Sequence, residues 1–361
     1  MESTSLIAET ASRLLRHHCD PQTLTSSVGA AWQGPAWAAL EQAGLPLAWV
    51  PEELGGAGVG MEDGFTLIGL AGRYALALPL TETLLAGWLL ARGAIAPPAG
   101  ALTCAPTRQG DKVVLASAGT LSGRLRAVPF AEAAKHLALI AEREDGNGHA
   151  IALIALADAQ VVPGRSIAGD ALNAVDLQAV RPITIKDAPE GVDAHSLLAM
   201  GAAARAMQMS GALAAILDIA VAYANERVAF ARPIAKFQAV QHNLARLAGE
   251  AAAAMAAAGS AAEALASAPA AAPTASFADA LFLEVAAAKI RVGEAAGVGA
   301  GIAHQVLGAI GFTREHVLHR FTQRLWAWRD DFDNESAWAV RLGARIAARG
   351  SDELWPLLAS R

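Results

Sequence analysis

The sequence predicts a mainly α protein with a β middle domain, in the order helical, β, helical. Three observations carry this. Apolar residues recur three and four apart from residue 5 to about residue 96, and again from residue 194 onward, the spacing that lines one face of a helix. Between these regions, from residue 99 to about 190, apolar residues come in short runs cut by Gly, Asp, Asn and Pro, the punctuation of strands and turns. A chain of 361 residues, 54% apolar and only 17% charged, suits two or three packed domains and not a disordered one. The predicted domains are 1–98 (helical), 99–192 (β) and 193–361 (helical).

In the first domain Leu6-Ile7, Leu14-Leu15, Trp32, Trp37, Leu40, Phe65, Leu67, Ile68 and Leu70 mark helical faces. The breaks are Gly44-Leu-Pro46 and Pro51-Glu-Glu-Leu-Gly55-Gly56-Ala-Gly58. In the second domain Lys112-Val-Val-Leu-Ala, Leu137-Ala-Leu-Ile, Ile151-Ala-Leu-Ile and Pro182-Ile-Thr-Ile predict short antiparallel strands. The third domain predicts helices over 196 to about 230, 237 to about 265 and 277 to about 307, with a last pair after Thr313. Residues 251–276 are dense in alanine and contain Pro269 and Pro273, which reads as a helix running into a proline-broken loop. The most hydrophobic span, 206–223, contains Gln208 and Asp218 and many small residues, so it reads as a buried helix and no membrane span is expected.

Several classes are excluded by composition. Twenty-eight basic against thirty-four acidic residues give a net charge of −6 with no long run of either sign, so no face suits a nucleic-acid backbone. Cys19 and Cys104 are far apart and lack metal-like spacing, as expected of a reducing cytoplasm. Met-Glu-Ser-Thr-Ser-Leu lacks a basic region followed by an apolar one, so no secretion signal is expected. Glu315-His316 with His319 puts two imidazoles one turn apart without a third ligand, and no metal is predicted. No Gly-x-Gly-x-x-Gly follows a strand, which argues against a Rossmann site. Trp326, Trp328 and Trp338 read as bundle packing, with Arg324 or Arg329 stacked on a ring.

Two segments carry chemistry. The first is Arg227-Val-Ala-Phe230-Ala-Arg-Pro233-Ile-Ala-Lys236-Phe237-Gln238; the second is Gln305-Val-Leu-Gly308-Ala309-Ile-Gly311-Phe312-Thr313. An arginine is a permanently charged fork suited to a diphosphate, and a glycine lets backbone approach it closely. The plain alternative has Arg227 ending a helix, Phe230 and Phe237 in the core, and Gly308 as a helix C-cap. In their order and separation, and with the Pro51 to Gly60 turn as a third match, these segments resemble the acyl-CoA dehydrogenase family, flavoproteins that desaturate acyl thioesters. The resemblance implies an N-terminal helical domain, a small β-barrel domain and a C-terminal four-helix bundle. It implies FAD held across a subunit interface by Arg227, Phe230, Gln238, Gln305, Gly308 and Ala309, the last standing where the family usually has a second glycine. It further implies an acyl-CoA substrate, an electron-transfer flavoprotein as electron acceptor, and a homo- or hetero-oligomer.

The implied reaction needs a base to take the proton beside the thioester carbonyl, and the family supplies a desolvated carboxylate from one of two places. Counted from Gly308, one place falls near Phe332, inside Arg329-Asp330-Asp331-Phe332-Asp333-Asn334-Glu335; counted from Arg227, the other falls near Gly201, flanked by Met200 and Ala202. Neither is a carboxylate. Asp331 and Asp333 flank the first place and are the candidate catalytic residues, the plain alternative being a solvated acidic turn. The family's flavin-ring segment in the middle domain is matched only by Thr103-Cys104-Ala105-Pro106-Thr107. Three functions follow: an FAD-dependent acyl-CoA dehydrogenase, the complementary subunit of a hetero-oligomeric one, or a non-enzymatic acyl-CoA-binding scaffold.

Overall fold

A computed structural model describes residues 6–25, 31, 33–267 and 281–359. Trp32, the Pro269 and Pro273 stretch and the expected helix start at Phe277 lie outside the described residues.

The first region holds α1 (Leu6–Cys19), α2 (Pro21–Thr25), α3 (Gln33–Gln42), α4 (Met61–Arg73) and α5 (Leu80–Arg92). Helix α5 is buried along nearly its whole length between this domain and the sheet, and it carries a fully buried acid, Glu82. The strands are β1 (Leu102–Ala105), β2 (Val113–Leu115), β3 (Leu121–Pro129), β4 (His136–Arg143), β5 (His149–Ala155), β6 (Gln160–Val162), β7 (Leu172–Val180) and β8 (Thr184–Asp187). They form one curled eight-stranded sheet, β6-β7-β3-β2-β4-β5-β8 with β1 beside β4, around a core that includes Leu121, Leu125, Leu139, Ile154 and Val175.

The expectation of antiparallel strands needs one correction, because β1 and β2 both run parallel to β4, pairing Leu102 with His136 and Val114 with Glu142. The two short strands follow each other along one edge of β4 without a reversal between them. The chain reverses only after β2, where Ala116 N–H donates to the Thr120 carbonyl (2.9 Å) and turns it into β3.

The last region holds α6 (Ala194–Glu226), a small hairpin of β9 (Val228–Ala229) and β10 (Arg232–Pro233), α7 (Gln238–Ser267), α8 (Phe282–Leu307), α9 (Leu318–Asp330), α10 (Glu335–Arg349) and α11 (Leu354–Ala359). A capping box starts α6: Ser196 N–H donates to Asp193 Oδ1 (2.8 Å) and Asp193 N–H to Ser196 Oγ (2.9 Å). Helices α6 and α8 are long and apolar enough to cross a membrane by composition, but they are the mutually packed centre of the bundle, and one core cluster runs through them into the N-terminal helices. They lie side by side in the same direction: Gly299 of α8 abuts Leu213, and Ile216 lies beside it. Their C-terminal ends therefore stand at the same end of the bundle.

Candidate functional site

That shared end carries the whole predicted cofactor set. Helix α6 stops at Glu226 with Arg227 as its C-cap, four residues short of the predicted end, because the chain turns into the β9–β10 hairpin. The two turn residues, Phe230 and Ala231, have φ of 51° and 64°. Such two-residue turns favour Asn-Gly, and a left-handed residue with a Cβ costs roughly 1–2 kcal/mol. The turn is fixed by Ile234 N–H donating to the Arg227 carbonyl (2.8 Å) and by Arg232, whose guanidinium lies 4.2 Å from the centre of the Phe237 ring. It lifts Phe230 off the surface at 91% exposure, so the plain alternative that placed this ring in the core fails.

At the neighbouring helix end Gly308 closes α8 with φ 65° and ψ −144°, a conformation that disfavours any Cβ, and the space where a Cβ would sit is open. Arg227, Gln238, Gln305, Gly308 and Ala309 are all exposed. Tyr223 meets His316 edge to face (6.1 Å), joining the two segments. Among the described residues no side-chain partner engages Arg227, Gln238 or Gln305. A free guanidinium, two free carboxamides, a bare backbone and a raised ring fit a dinucleotide.

The candidate base positions have a different environment. Gly201 of α6 and Phe332, 131 positions apart in sequence, are in direct contact: a Cβ on Gly201 would fall 2.2 Å from the Phe332 ring. The two places where a carboxylate was sought therefore converge on one point, and a fully buried aromatic ring fills it. Phe332 and Asp333 both have positive φ, 53° and 65°. Their turn is held by Trp338 Nε1–H donating to the Phe332 carbonyl (2.9 Å) and by the Asn334 side chain capping α10 at Ala337 N–H (3.0 Å).

Asp331 and Asp333 are buried, which overturns the alternative of a solvated acidic turn. Asp331 Oδ2 accepts from Arg205 Nε at 3.0 Å, and the same guanidinium bonds Glu82 and Gln208. Asp333 faces Arg341 at 3.0 Å, an ion pair without hydrogen-bond alignment. Burial pushes Glu82 above the usual carboxylate range, against the pull of Arg205. Burial also opposes charge on Arg205, but Glu82 and Asp331 outweigh it and hold the guanidinium protonated. Beside them Lys289 Nζ donates to the carbonyls of Trp328 (3.1 Å) and Arg329 (3.0 Å), capping the C-terminus of α9. Its burial lowers its pKa to about 7.

Sequence reasoning missed this cluster of Glu82, Arg205, Gln208 and Lys289. The signal was present: Arg205 is a lone charge in the apolar first part of α6, and a charge inside an apolar helix has to find a partner.

On the sheet side the hydroxyls of Thr103 and Thr107 are spent inward, donating to the carbonyls of Pro129 (2.7 Å) and of Arg126 and Ala127 (3.1 and 3.0 Å). Burial pushes the thiols of Cys19 and Cys104 up to about 12, which makes both inert. His316 accepts from Leu318 N–H and His319 pairs with the His316 carbonyl. The tryptophans do pack in the bundle, but the stacked guanidiniums are Arg341 on Trp338 (4.0 Å) and Arg205 near Trp328 (6.0 Å). Arg324 and Arg329 are instead drawn to Asp170 and Glu335, because a buried cation pairs first with a carboxylate.

The three-part arrangement is that of the acyl-CoA dehydrogenases. It superposes on the ChsE4–ChsE5 complex from Mycobacterium tuberculosis with a TM-score of 0.82 at 22% identity, covering 96% of this chain and 98% of that one. A variant of the Tcur3481–Tcur3483 steroid ACAD gives 0.79 at 25% identity, with 95% and 97% covered. Residues 192–327 match the family described as "Acyl-CoA dehydrogenase, C-terminal domain". The acyl-CoA dehydrogenase IpdE2 of Mycobacterium tuberculosis (strain ATCC 25618 / H37Rv) is 28% identical over 329 residues, 90% of this chain and 91% of that protein. The match to that family's C-terminal domain covers most of the bundle, and the chain as a whole shares the fold of the acyl-CoA dehydrogenases.

Proposed function

We propose that this chain is the base-free subunit of a hetero-oligomeric, FAD-dependent acyl-CoA dehydrogenase of the cytoplasm. It lends nucleotide contacts across a subunit interface to a partner chain that carries the catalytic carboxylate. The observation that carries the proposal is the Phe332 ring seated on Gly201, with Asp331 and Asp333 committed to Arg205 and Arg341. A phenyl ring takes no proton, and a carboxylate held against an arginine is not free to face a substrate C–H.

On this reading Arg227 grips the diphosphate, Gln238 and Gln305 hydrogen-bond the adenosine half, Gly308 and Ala309 line its path, and Phe230 packs against it. FAD held by these residues would supply a hydride acceptor for the β carbon of an acyl-CoA, with an electron-transfer flavoprotein as the onward acceptor. That one similar structure is a two-component complex supports the assembly. The competing reading, a self-sufficient dehydrogenase with Asp331 or Asp333 as base, requires one of them to leave its arginine.

The chain is to be expressed alone and with each acyl-CoA dehydrogenase subunit of its source, and flavin bleaching by acyl-CoA followed without oxygen. The expected result is a yellow complex that bleaches and a lone chain that does not. A lone homo-oligomer that turns over at full rate refutes the proposal, as does a complex that takes up no FAD.

A further inference from the structure

The loop between β1 and β2 is pinned at both ends to one strand. At its start the Thr107 hydroxyl bonds the carbonyls of Arg126 and Ala127 in β3. At its end Asp111 accepts twice from Arg126, through the backbone N–H (2.7 Å) and through Nε (2.5 Å), and Arg126 Nη2 also donates to the Gln109 carbonyl (3.3 Å). Asp111 is buried, so little water competes for the carboxylate at the centre of this brace. The tip between the two pins reaches the bundle. Arg108 Nη1 donates to the Asp330 carbonyl at the end of α9, and Gln109 N–H donates to Asp333 Oδ1 (3.4 Å) in the turn that follows.

Helix α9 ends in carbonyls that have no partner inside the helix. Lys289 takes those of Trp328 and Arg329 from within the bundle, and Arg108 takes that of Asp330 from the sheet domain. Two cations from different domains thus cap one helix at the pole that favours positive charge. Farther up α9, Arg324 Nη2 donates to Asp170 Oδ1 (2.6 Å) in the β6–β7 loop, about 9 Å along the helix from Asp330. The sheet domain therefore holds α9 at two points, and one of them is the turn that seats Phe332 on Gly201.

The geometry points to residues 106–112 as a strap across the seam between sheet and bundle, stiffened by Arg126 and latched by Arg108 on the end of α9. The latch is weaker than the brace. It is one bond from a half-buried guanidinium to a neutral carbonyl of an exposed residue, plus a long contact from Gln109, against a two-pronged, charge-assisted grip on Asp111. The strap accordingly lifts as a unit, and its release frees the α9–α10 turn while the bundle core stays folded. This role does not depend on a bound flavin.

The test is amide hydrogen exchange of the full chain, read by mass spectrometry in the strap, in residues 331–338 and in α7. Arg108→Met removes the latch and keeps the length of the side chain. It is expected to speed exchange about 2- to 10-fold in both 106–112 and 331–338, from the usual net worth of one hydrogen bond, with α7 unchanged. Arg126→Met leaves Arg108 in place and is expected to do the same, because an unbraced tip cannot hold the turn. Arg124→Met is the control: it removes an equal charge from the same strand, where Arg124 faces Asp176 (3.4 Å), and leaves both segments at parent rates. A turn that exchanges at the parent rate in Arg108→Met overturns the inference, and so does an Arg126→Met chain in which the loop alone loosens. Equal acceleration in α7, or acceleration of the turn by Arg124→Met, overturns it as well, since the whole chain is then less stable and no latch has opened.

Discussion

The buried charge cluster allows a quantitative test through Arg205→Met. Arg205, Glu82 and Asp331 are 1%, 2% and 6% exposed, and the guanidinium is the shared partner of both acids. Methionine fills similar volume with no charge, so the change leaves two buried carboxylates without it. Removing one partner of a buried pair costs about 3–5 kcal/mol. If the chain unfolds as one unit, 361 residues carry roughly 0.76 kcal/mol/K of unfolding entropy, so Tm falls by about 4–7 °C.

The loss also depends on pH, with a definite sign. Burial already raises Glu82, and taking away the Arg205 charge raises it further. An acid whose folded pKa lies above its unfolded one favours the folded state at low pH and loses that advantage as pH rises through the folded value. The deficit is therefore larger at pH 8 than at pH 5. Guanidinium chloride unfolding followed by tryptophan fluorescence at both values measures it, with calorimetry for Tm. The triple change Glu82→Gln, Arg205→Met, Asp331→Asn removes the uncompensated charge and recovers most of the loss. A deficit below about 1 kcal/mol and equal at both pH values would show the cluster to be solvated and refute the reasoning.

Gly201→Ala drives a methyl group into the Phe332 ring and costs about 1–3 kcal/mol by overpacking. Combining it with Phe332→Leu recovers part of that loss, whereas strictly additive losses in a double-mutant cycle would show that the two side chains do not touch. Lys289, lowered to about 7, binds its proton more weakly folded than unfolded, so between pH 7 and 10 the unfolded state holds more protons and stability rises with pH. Lys289→Met flattens that rise in denaturant midpoints; an unchanged slope removes Lys289 as its source. On the proposed function, Asp333→Asn leaves the rate of flavin reduction in the assembly within about threefold, whereas a lost general base costs about 100- to 10,000-fold. A fall of that larger size in stopped-flow bleaching restores Asp333 as the base.

The fold was legible because its signals are local. Helix periods, strand runs and their punctuation place α4, α6, α7 and the sheet within a few residues of where they stand. The same local logic overran at residues 227–230, where a hairpin with two left-handed residues that are not glycine ends α6 against the sequence's own preference. The parallel placement of β1 and β2 on β4 was not legible, since it depends on which edge of β4 is free and not on any run of residues. At the site, Arg227, Gln305 and Gly308 are named through the resemblance of their segments to a family, and they stand at the C-terminal ends of α6 and α8. Glu82 and Arg205 could not be paired, because 123 residues and the whole strand region separate them.

The presence of ions at that point, where an oily plug would also fill space, follows from the turn they hold. A buried ion cluster adds little net stability over hydrophobic residues of the same shape. What it adds is direction: charge-assisted hydrogen bonds fix angles that a methyl group leaves loose. Phe332 and Asp333 are consecutive left-handed residues, together costing roughly 2–4 kcal/mol. Arg205 on Asp331, Lys289 on the carbonyls of Trp328 and Arg329, and Trp338 on the Phe332 carbonyl clamp successive residues of the turn from three helices. The clamp aims the Phe332 ring at Gly201. A loose turn would let it swing aside and open the space between α6 and α9 to water, leaving Arg205, Glu82 and Asp331 half-hydrated and the contact of α5 with α6 weakened.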